Sequence, residues 1–361
     1  MLYVMAKTGN VAAGTTRIRK RSFGMMPDGT AVDLYTLSDG VVEASVTAFG
    51  ARLTSVKAPD RDGVLGEVVL GHDALAGYLE DRKTFMGAIV GRFGNRLAHG
   101  RFSIDGEEFQ VPLNDGENAL HGGPEGFDRK VWVAEETSDT VSFTLVSPDG
   151  EMGFPGTLTL AVKYSLSGGA LRLDYSATTD KATVVNVTNH AYFNLAGSDT
   201  ILGHELLIPT ERFTPVGESL IPTGELAPVA GTAFDFTRGT VIGERIDADD
   251  VQLKRARGYD HNWAFGDKGT LKLTARLTDK SSGRVMTVET TEPGMQFYAG
   301  NFLDGSVPTR DGSGFVTLRS GLCLETQGYP DAPNQPGFPS VALRADELLK
   351  STTIFTFSTE A

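Results

Sequence analysis

"LTLAVKYSLSGGALRLDYSA", residues 158–177, places an apolar side chain at every second position on either side of a glycine-bearing turn. Period two is the repeat of a pleated strand, whose successive side chains face opposite ways. The stretch reads as two half-buried antiparallel strands. The same alternation recurs in "TVSFTLVS" (140–147) and "LKLTARLTDKSSGRVMTVETT" (271–291). "FSIDGEEFQV" (102–111) reads as two short strands about an Asp105-Gly106 turn.

Turns punctuate the whole chain, with 43 glycines and 16 prolines among 361 residues. Long helices are correspondingly few. The best helical stretch is "DALAGYLEDRKTFM", residues 73–86, opened by an aspartate suited to N-capping. Strands recurring every ~8–12 residues point to a sandwich or barrel rather than to βαβ units. The expected fold class is all-β, a large antiparallel sandwich with few short helices. No repeat, low-complexity tract or linker-like shift interrupts it, so we expect a loose arm over residues 1–22 and one β domain over residues 23–361.

Composition narrows the partners. With 33 basic and 46 acidic side chains the formal charge is −13, which repels phosphate backbones and anionic lipid. Nucleic acid and membrane are therefore not expected partners, and no apolar run reaches the ~18 residues of a membrane span. The lone cysteine, Cys323, allows neither an intrachain disulfide nor a thiolate metal cage and reads as a small buried hydrophobe between Leu322 and Leu324. At the start of the chain a short apolar run precedes the basic residues, the reverse of a secretory signal. A cytoplasmic location is expected, or a periplasmic one if a signal peptide precedes Met1.

Several polar segments exceed what a plain sandwich needs. "GRFGNRLAHG" (91–100) holds Asn95 and Arg96, and "NALHGG" (118–123) sets His121 before two glycines, where backbone can admit a ligand. "VVNVTNHAYFNLAG" (184–197) begins as a buried strand and then presents Asn189, His190 and Tyr192. "GYDHNW" (258–263) carries Asp260 and His261, and "EPGMQFYAGN" (292–301) carries Gln296. "GLCLETQGYPDAPNQPGFP" (321–339) sets Glu325 directly after an apolar strand. Taken singly, Arg96 suits a surface ion pair, each histidine a hydrogen-bonded core, and Asp260 a turn. Glu325 resists such a reading, because a carboxylate on a buried strand is costly unless paired or functional. His72, His99 and His204 stand in polar or loop-like surroundings without companions and read as surface or structural residues.

The segments contain no HxH, HExxH or paired-cysteine spacing for a metal and no GxSxG turn for a nucleophilic serine. Nor is there a glycine fingerprint for a dinucleotide. Metal binding fails on spacing. What remains is a carboxylate, imidazoles, an arginine, amides and aromatic rings, an inventory that suits a neutral polyhydroxylated ligand.

In their order along the chain, "GRFGNR", "NALHGG", "VTNHAYFNLAG", "TPVGESLIPTGE", "GTAFDF", "GYDHNW", "TTEPGMQFYAGNFLDG" and "LCLETQGYPDAPNQPGFPS" closely resemble the aldose 1-epimerase (mutarotase) family. The resemblance runs from about Phe23 to near the C-terminus and implies a β super-sandwich acting on free sugars without metal or cofactor. It places the general base on Glu325 and the general acid on His190. It places substrate contacts on Asn95, Arg96, His121, Tyr192, Asp260 and Gln296. One departure is Gly328, where the family often has histidine at the pocket rim.

The implied chemistry is modest. The C1 hydroxyl loses a proton while the ring oxygen gains one, the hemiacetal opens, C1–C2 rotates, and reclosure delivers the other anomer. A carboxylate and an imidazole suffice. The alternatives are a noncatalytic carbohydrate-binding protein, which does not need both groups, and a hexose-6-phosphate 1-epimerase, which needs added cationic groups. A glycosidase needs a second carboxylate, for which Asp260 is the candidate. The expected partner is a monosaccharide, and the expected state a monomer or homodimer.

Overall fold

The computed structural model describes residues 15–197, 199–266 and 268–360. The hairpin of residues 158–177 forms as its alternation requires. Leu158–Ser167 pairs antiparallel with Ala170–Thr179, and Ser167 faces Ala170 across Gly168 and Gly169. Both glycines have positive φ (59° and 80°), the geometry that matches a two-residue turn to the twist of its strands. Leu158, Leu160, Val162, Tyr164 and Leu166 all face the core, as do Leu171, Leu173 and Tyr175 on the partner strand. Burying one such side chain stabilises the fold by ~1.5–3 kcal/mol, so this hairpin alone fixes the inner face of its sheet.

That sheet has nine strands, all paired antiparallel, and runs from Val133–Glu136 at one edge to Thr240–Val241 at the other. The C-terminal strand Leu349–Thr359 lies at its centre, between Ala170–Thr179 and Arg284–Thr290. A five-stranded sheet is built in sequence order from Arg17–Met25, Ala31–Ser38, Glu43–Thr47, Arg52–Pro59 and Leu65–Glu67. Its apolar face, with Val32, Leu34, Val46 and Leu53, packs into the same core as Leu160, Leu173 and Phe355 of the large sheet. The Tyr164 hydroxyl ties the layers by donating to the carbonyl of Ala51 at 2.8 Å. A second five-stranded sheet, ordered Ala227–Pro228, Arg212–Thr214, Asp260–Ala264, Gly294–Tyr298 and Cys323–Gln327, carries the functional side chains.

Two expectations are corrected. Residues 17–22, assigned to a loose arm, belong to the strand Arg17–Met25, which pairs with Ala31–Ser38; residues 1–14 of that arm lie outside the described residues. The helix expected over residues 73–86 is only Leu75–Glu80, and Asp73 does not cap it; Ala74 stands at the cap position without a side-chain bond. Asp73 instead pairs with Arg310 at 2.9 Å. The helix stops because the Asp81 carboxylate accepts from the amides of Lys83 (3.0 Å) and Thr84 (3.1 Å), turning the chain. A second six-residue helix, Val251–Ala256, is capped by Asp250, which accepts from the amides of Gln252 and Leu253.

Candidate active site

Three adjacent strands set the floor. Asp260 pairs with Tyr298 and Tyr298 with Cys323; Asn262 pairs with Gln296 and Gln296 with Glu325. Because side chains alternate, these residues share one face, while Trp263, Met295, Phe297 and Leu324 on the other face enter the main apolar core. Every residue of the three strands is buried. The sheet thus has one apolar and one polar buried face, and the polar one requires partners or a ligand.

The remaining groups arrive from loops pinned by backbone bonds. His190 follows the short strand Thr188–Asn189, which pairs with Ile89–Val90. Its amide donates to Ala88 O (2.8 Å) and its carbonyl accepts from the amide of Gly87 (2.9 Å). Asn95 and His121 face each other across the bridge Arg96–Leu97 to Ala119–Leu120, and both adopt left-handed backbone (φ 64° and 51°). The Asn95 amide donates to His121 Nδ1 and the His121 amide to Asn95 O, each at 3.1 Å. Strained backbone held by reciprocal bonds is a device of binding sites, where geometry matters more than local comfort.

These elements enclose a cavity of about 480 Å³, within the range of small-molecule sites. Asn95, Arg96, His121, His190, Tyr192, Asp260 and Glu325 all line it. Nε2 of His190 lies 3.8 Å from Oε1 of Glu325, and Oε2 of Glu325 is buried with no hydrogen-bond partner among the described residues. The imidazole stands among rings: His121 at 5.1 Å, Tyr192 at 5.1 Å, Phe85 at 5.9 Å and Tyr298 at 6.4 Å between centroids. Arg96 is held between two carboxylates, with Nε 2.7 Å from Asp115 and Nη1 3.5 Å from Asp260.

Gln296 differs from expectation. It does not line the cavity, and its Nε2 donates to Asp260 Oδ1 at 2.7 Å while Gln327 approaches its Oε1 at 3.4 Å. It reaches the site only through Asp260. Gly122 also serves another purpose than ligand access, because a Cβ there would sit 2.0 Å from Gly91 O. Gly328 is likewise away from the cavity, its amide bonded to Asn186 Oδ1 at 2.8 Å. His72 and His204 are buried structural residues; His72 packs edge-on against Tyr78. Phe85, Asp115 and Tyr298 line the cavity and were missed. Alternation from Gln296 would have found Tyr298, two positions on.

Electrostatics follow from burial. It pushes the Glu325 carboxyl well above its usual range, and the negative charge of Asp260 pushes it further against the pull of Arg96. Burial lowers His190 to about 4. His121 is lowered well below its ordinary value by burial, then by His190 and Arg96. For Arg96 burial works downward, but Asp260 and Asp115 outweigh it and raise the guanidinium.

Donor atoms of His121, His190 and Glu325 lie within 4.8 Å of one another, close enough to surround a cation. The hydrogen bonding opposes that use. His121 Nδ1 accepts the Asn95 N–H, so the neutral ring carries its proton on Nε2 and has no lone pair there to offer. The triad suits proton transfer and hydroxyl binding better than metal ligation.

The aldose 1-epimerase family model matches residues 33–356. The chain belongs to the aldose 1-epimerase family. A galactose mutarotase from Rattus norvegicus is 43% identical over 94% of this chain and 98% of its own length. An aldose 1-epimerase from Escherichia coli (strain K12) is 38% identical over 93% of this chain and 98% of its own. The crystal structure of a galactose 1-epimerase from Lactobacillus acidophilus NCFM superposes with a TM-score of 0.82 at 29% identity, covering 96% of this chain and 99% of that one. Membership in the aldose 1-epimerase family makes the protein an isomerase acting on carbohydrate. Among the described residues no helix is long and apolar enough to cross a membrane.

Proposed function

We propose that the protein interconverts the α and β anomers of free aldohexoses, galactose and glucose, with Glu325 as general base and His190 as general acid. The observation that supports this most is the 3.8 Å approach of the His190 and Glu325 side chains on the wall of one cavity. The C1 hydroxyl and the ring oxygen share a single carbon, so an acid and a base side by side on one cavity wall can serve both. Ionised Glu325 takes the hydroxyl proton as protonated His190 gives one to the ring oxygen. The C1–ring-oxygen bond breaks, and the open aldehyde turns about C1–C2. Reclosure returns both protons and consumes no reagent.

Asp260, Arg96, His121, Asn95 and Tyr192 hold the sugar. Asp260 accepts from hydroxyls, while Arg96 and His121 donate to oxygens that gain charge as the ring opens. The protein acts as one β domain in the cytoplasm, as a monomer or homodimer, and takes no cofactor. Polarimetry on freshly dissolved α-galactose tests the assignment. Glu325→Gln and His190→Asn should stay folded and lose most of the catalysis; wild-type rates in either variant would remove that residue from its role. Faster turnover of the 6-phosphorylated sugar than of the free one would favour a phosphohexose epimerase instead.

A further inference from the structure

The mechanism above leaves the buried thiol of Cys323 unused. Cys323 has no solvent exposure and stands two positions before Glu325 on the strand Cys323–Gln327. Residues i and i+2 of a strand point to the same side, so the thiol and the carboxylate project together from the floor. The His190 ring bridges them. Its Nε2 faces Glu325 Oε1 at 3.8 Å, and its Nδ1 lies 3.5 Å from Cys323 Sγ, within hydrogen-bond range for sulfur.

Proton transfer through an imidazole places a demand on the nitrogen that does not react. When His190 has given its Nε2 proton to the ring oxygen, the neutral ring must keep its other proton on Nδ1. Only then is the Nε2 lone pair free to take the proton back on reclosure. A neutral histidine with the opposite tautomer would present N–H to Glu325 and to the sugar and could not act as the returning base. Something must therefore accept an Nδ1–H bond in both charge states. We infer that Cys323 is a positioning residue whose sulfur accepts the Nδ1–H of His190, fixing the tautomer and leaving Nε2 as the one site of the travelling proton.

A sulfur suits this task better than the usual partners. A carboxylate behind Nδ1 would stabilise the imidazolium and make His190 a poorer acid; sulfur is a weak acceptor that orients the ring while adding little basicity. Burial raises the Cys323 thiol well above its ordinary value, so it stays neutral and adds no charge beside the acid.

The inference rests on His190 as the proton donor, and its test reads the tautomer without turnover. Nitrogen-15 NMR of histidine-labelled protein at pH 7, with His190 assigned by its loss in His190→Asn, should show Nδ1 protonated and Nε2 bare. Cys323→Ala should shift population to the Nε2–H form and lower kcat about three- to tenfold, the worth of one neutral hydrogen bond, with KM nearly unchanged. Cys323→Ser, whose oxygen also accepts, should retain the Nδ1–H form and recover much of kcat. An Nε2–H tautomer in the wild type or in the serine variant would overturn the inference. So would an alanine variant with wild-type tautomer and kcat. If the alanine variant does not fold, the wild-type and serine spectra decide. Retained activity in His190→Asn would instead overturn the underlying proton-donor role.

Discussion

Nε2 of His190 and Oε1 of Glu325 face each other at 3.8 Å, and burial moves the two groups in opposite directions. The carboxyl is raised well above its usual range and the imidazole lowered to about 4. Across the interval between, the pair binds one proton in total. A carboxylic acid beside a neutral imidazole and a carboxylate beside an imidazolium differ only in where that proton sits. The reactive arrangement is thus one proton transfer from the other, without exchange with solvent.

The pH profile follows from that count. Below about 4 His190 and Glu325 both hold protons and no base is left for the C1 hydroxyl. Above the raised value of Glu325 neither holds one, and the ring oxygen has no donor. A plot of kcat/KM, which reports the free enzyme, should be a bell with its acid limb near pH 4 and its alkaline limb far above the ordinary carboxylate range. An acid limb near 6.5 would mean that His190 is solvated, contrary to its burial.

Gln296 should act through Asp260. Removing its amide in Gln296→Ala takes away the 2.7 Å donor to Asp260 Oδ1, a bond to a charged group worth ~1.5–3 kcal/mol. KM should rise roughly ten- to a hundredfold with a smaller change in kcat. Combined with Asp260→Asn, the loss should be far less than the product of the single losses, because one interaction is removed twice. Multiplicative losses would place Gln296 on the sugar itself.

These residues also show what a sequence conveys. The hairpin over residues 158–177 was readable because alternation and a Gly-Gly turn are local, and their consequence, the buried row of Leu158 to Leu166, is local too. The order of polar motifs pointed to Glu325, His190 and their neighbours. Depth was not readable. Gln296 and Glu325 are cross-strand partners on one face, yet one lines the cavity and the other stands behind Asp260. Cys323 was rightly expected to be buried, but its contact with His190 joins distant parts of the chain. The helix expected over residues 73–86 is shorter in the structure because Asp81, well suited to a turn, competes with helical propensity. The helix Val251–Ala256 is too short to announce itself by periodicity, although Asp250 and Gly258 flank it with the usual start and stop signals.

Metal chelation should leave the rate alone. His121 Nδ1 is occupied by the Asn95 amide, which withholds the lone pair that a third ligand to a divalent ion would need. Overnight dialysis against EDTA should preserve mutarotation of α-galactose within error. Loss of activity that zinc or manganese restores would contradict the tautomer drawn for His121.

Acid should destabilise the fold before it exhausts the chemistry. His190 and His261 are lowered to about 4 and about 3 by burial, and His121 is lowered as well. An unfolded imidazole titrates near ~6.5, so below that pH the unfolded chain binds protons that the native one refuses. The contribution of these histidines is full above 6.5 and falls as pH drops toward the folded values, by at most ~1.4 kcal/mol per pH unit for each such residue. His261 allows the effect to be isolated. Its ring packs against Phe234 (4.7 Å), its Nδ1 accepts the Asp260 amide, and its Nε2 has no partner among the described residues. His261→Gln can keep an acceptor for that amide while removing one titrating group. The unfolding free energy of this variant, from urea titrations between pH 7 and pH 4.5, should decline less steeply than that of the wild type. Parallel slopes would show that His261 is already protonated in the native state or never sheltered from solvent.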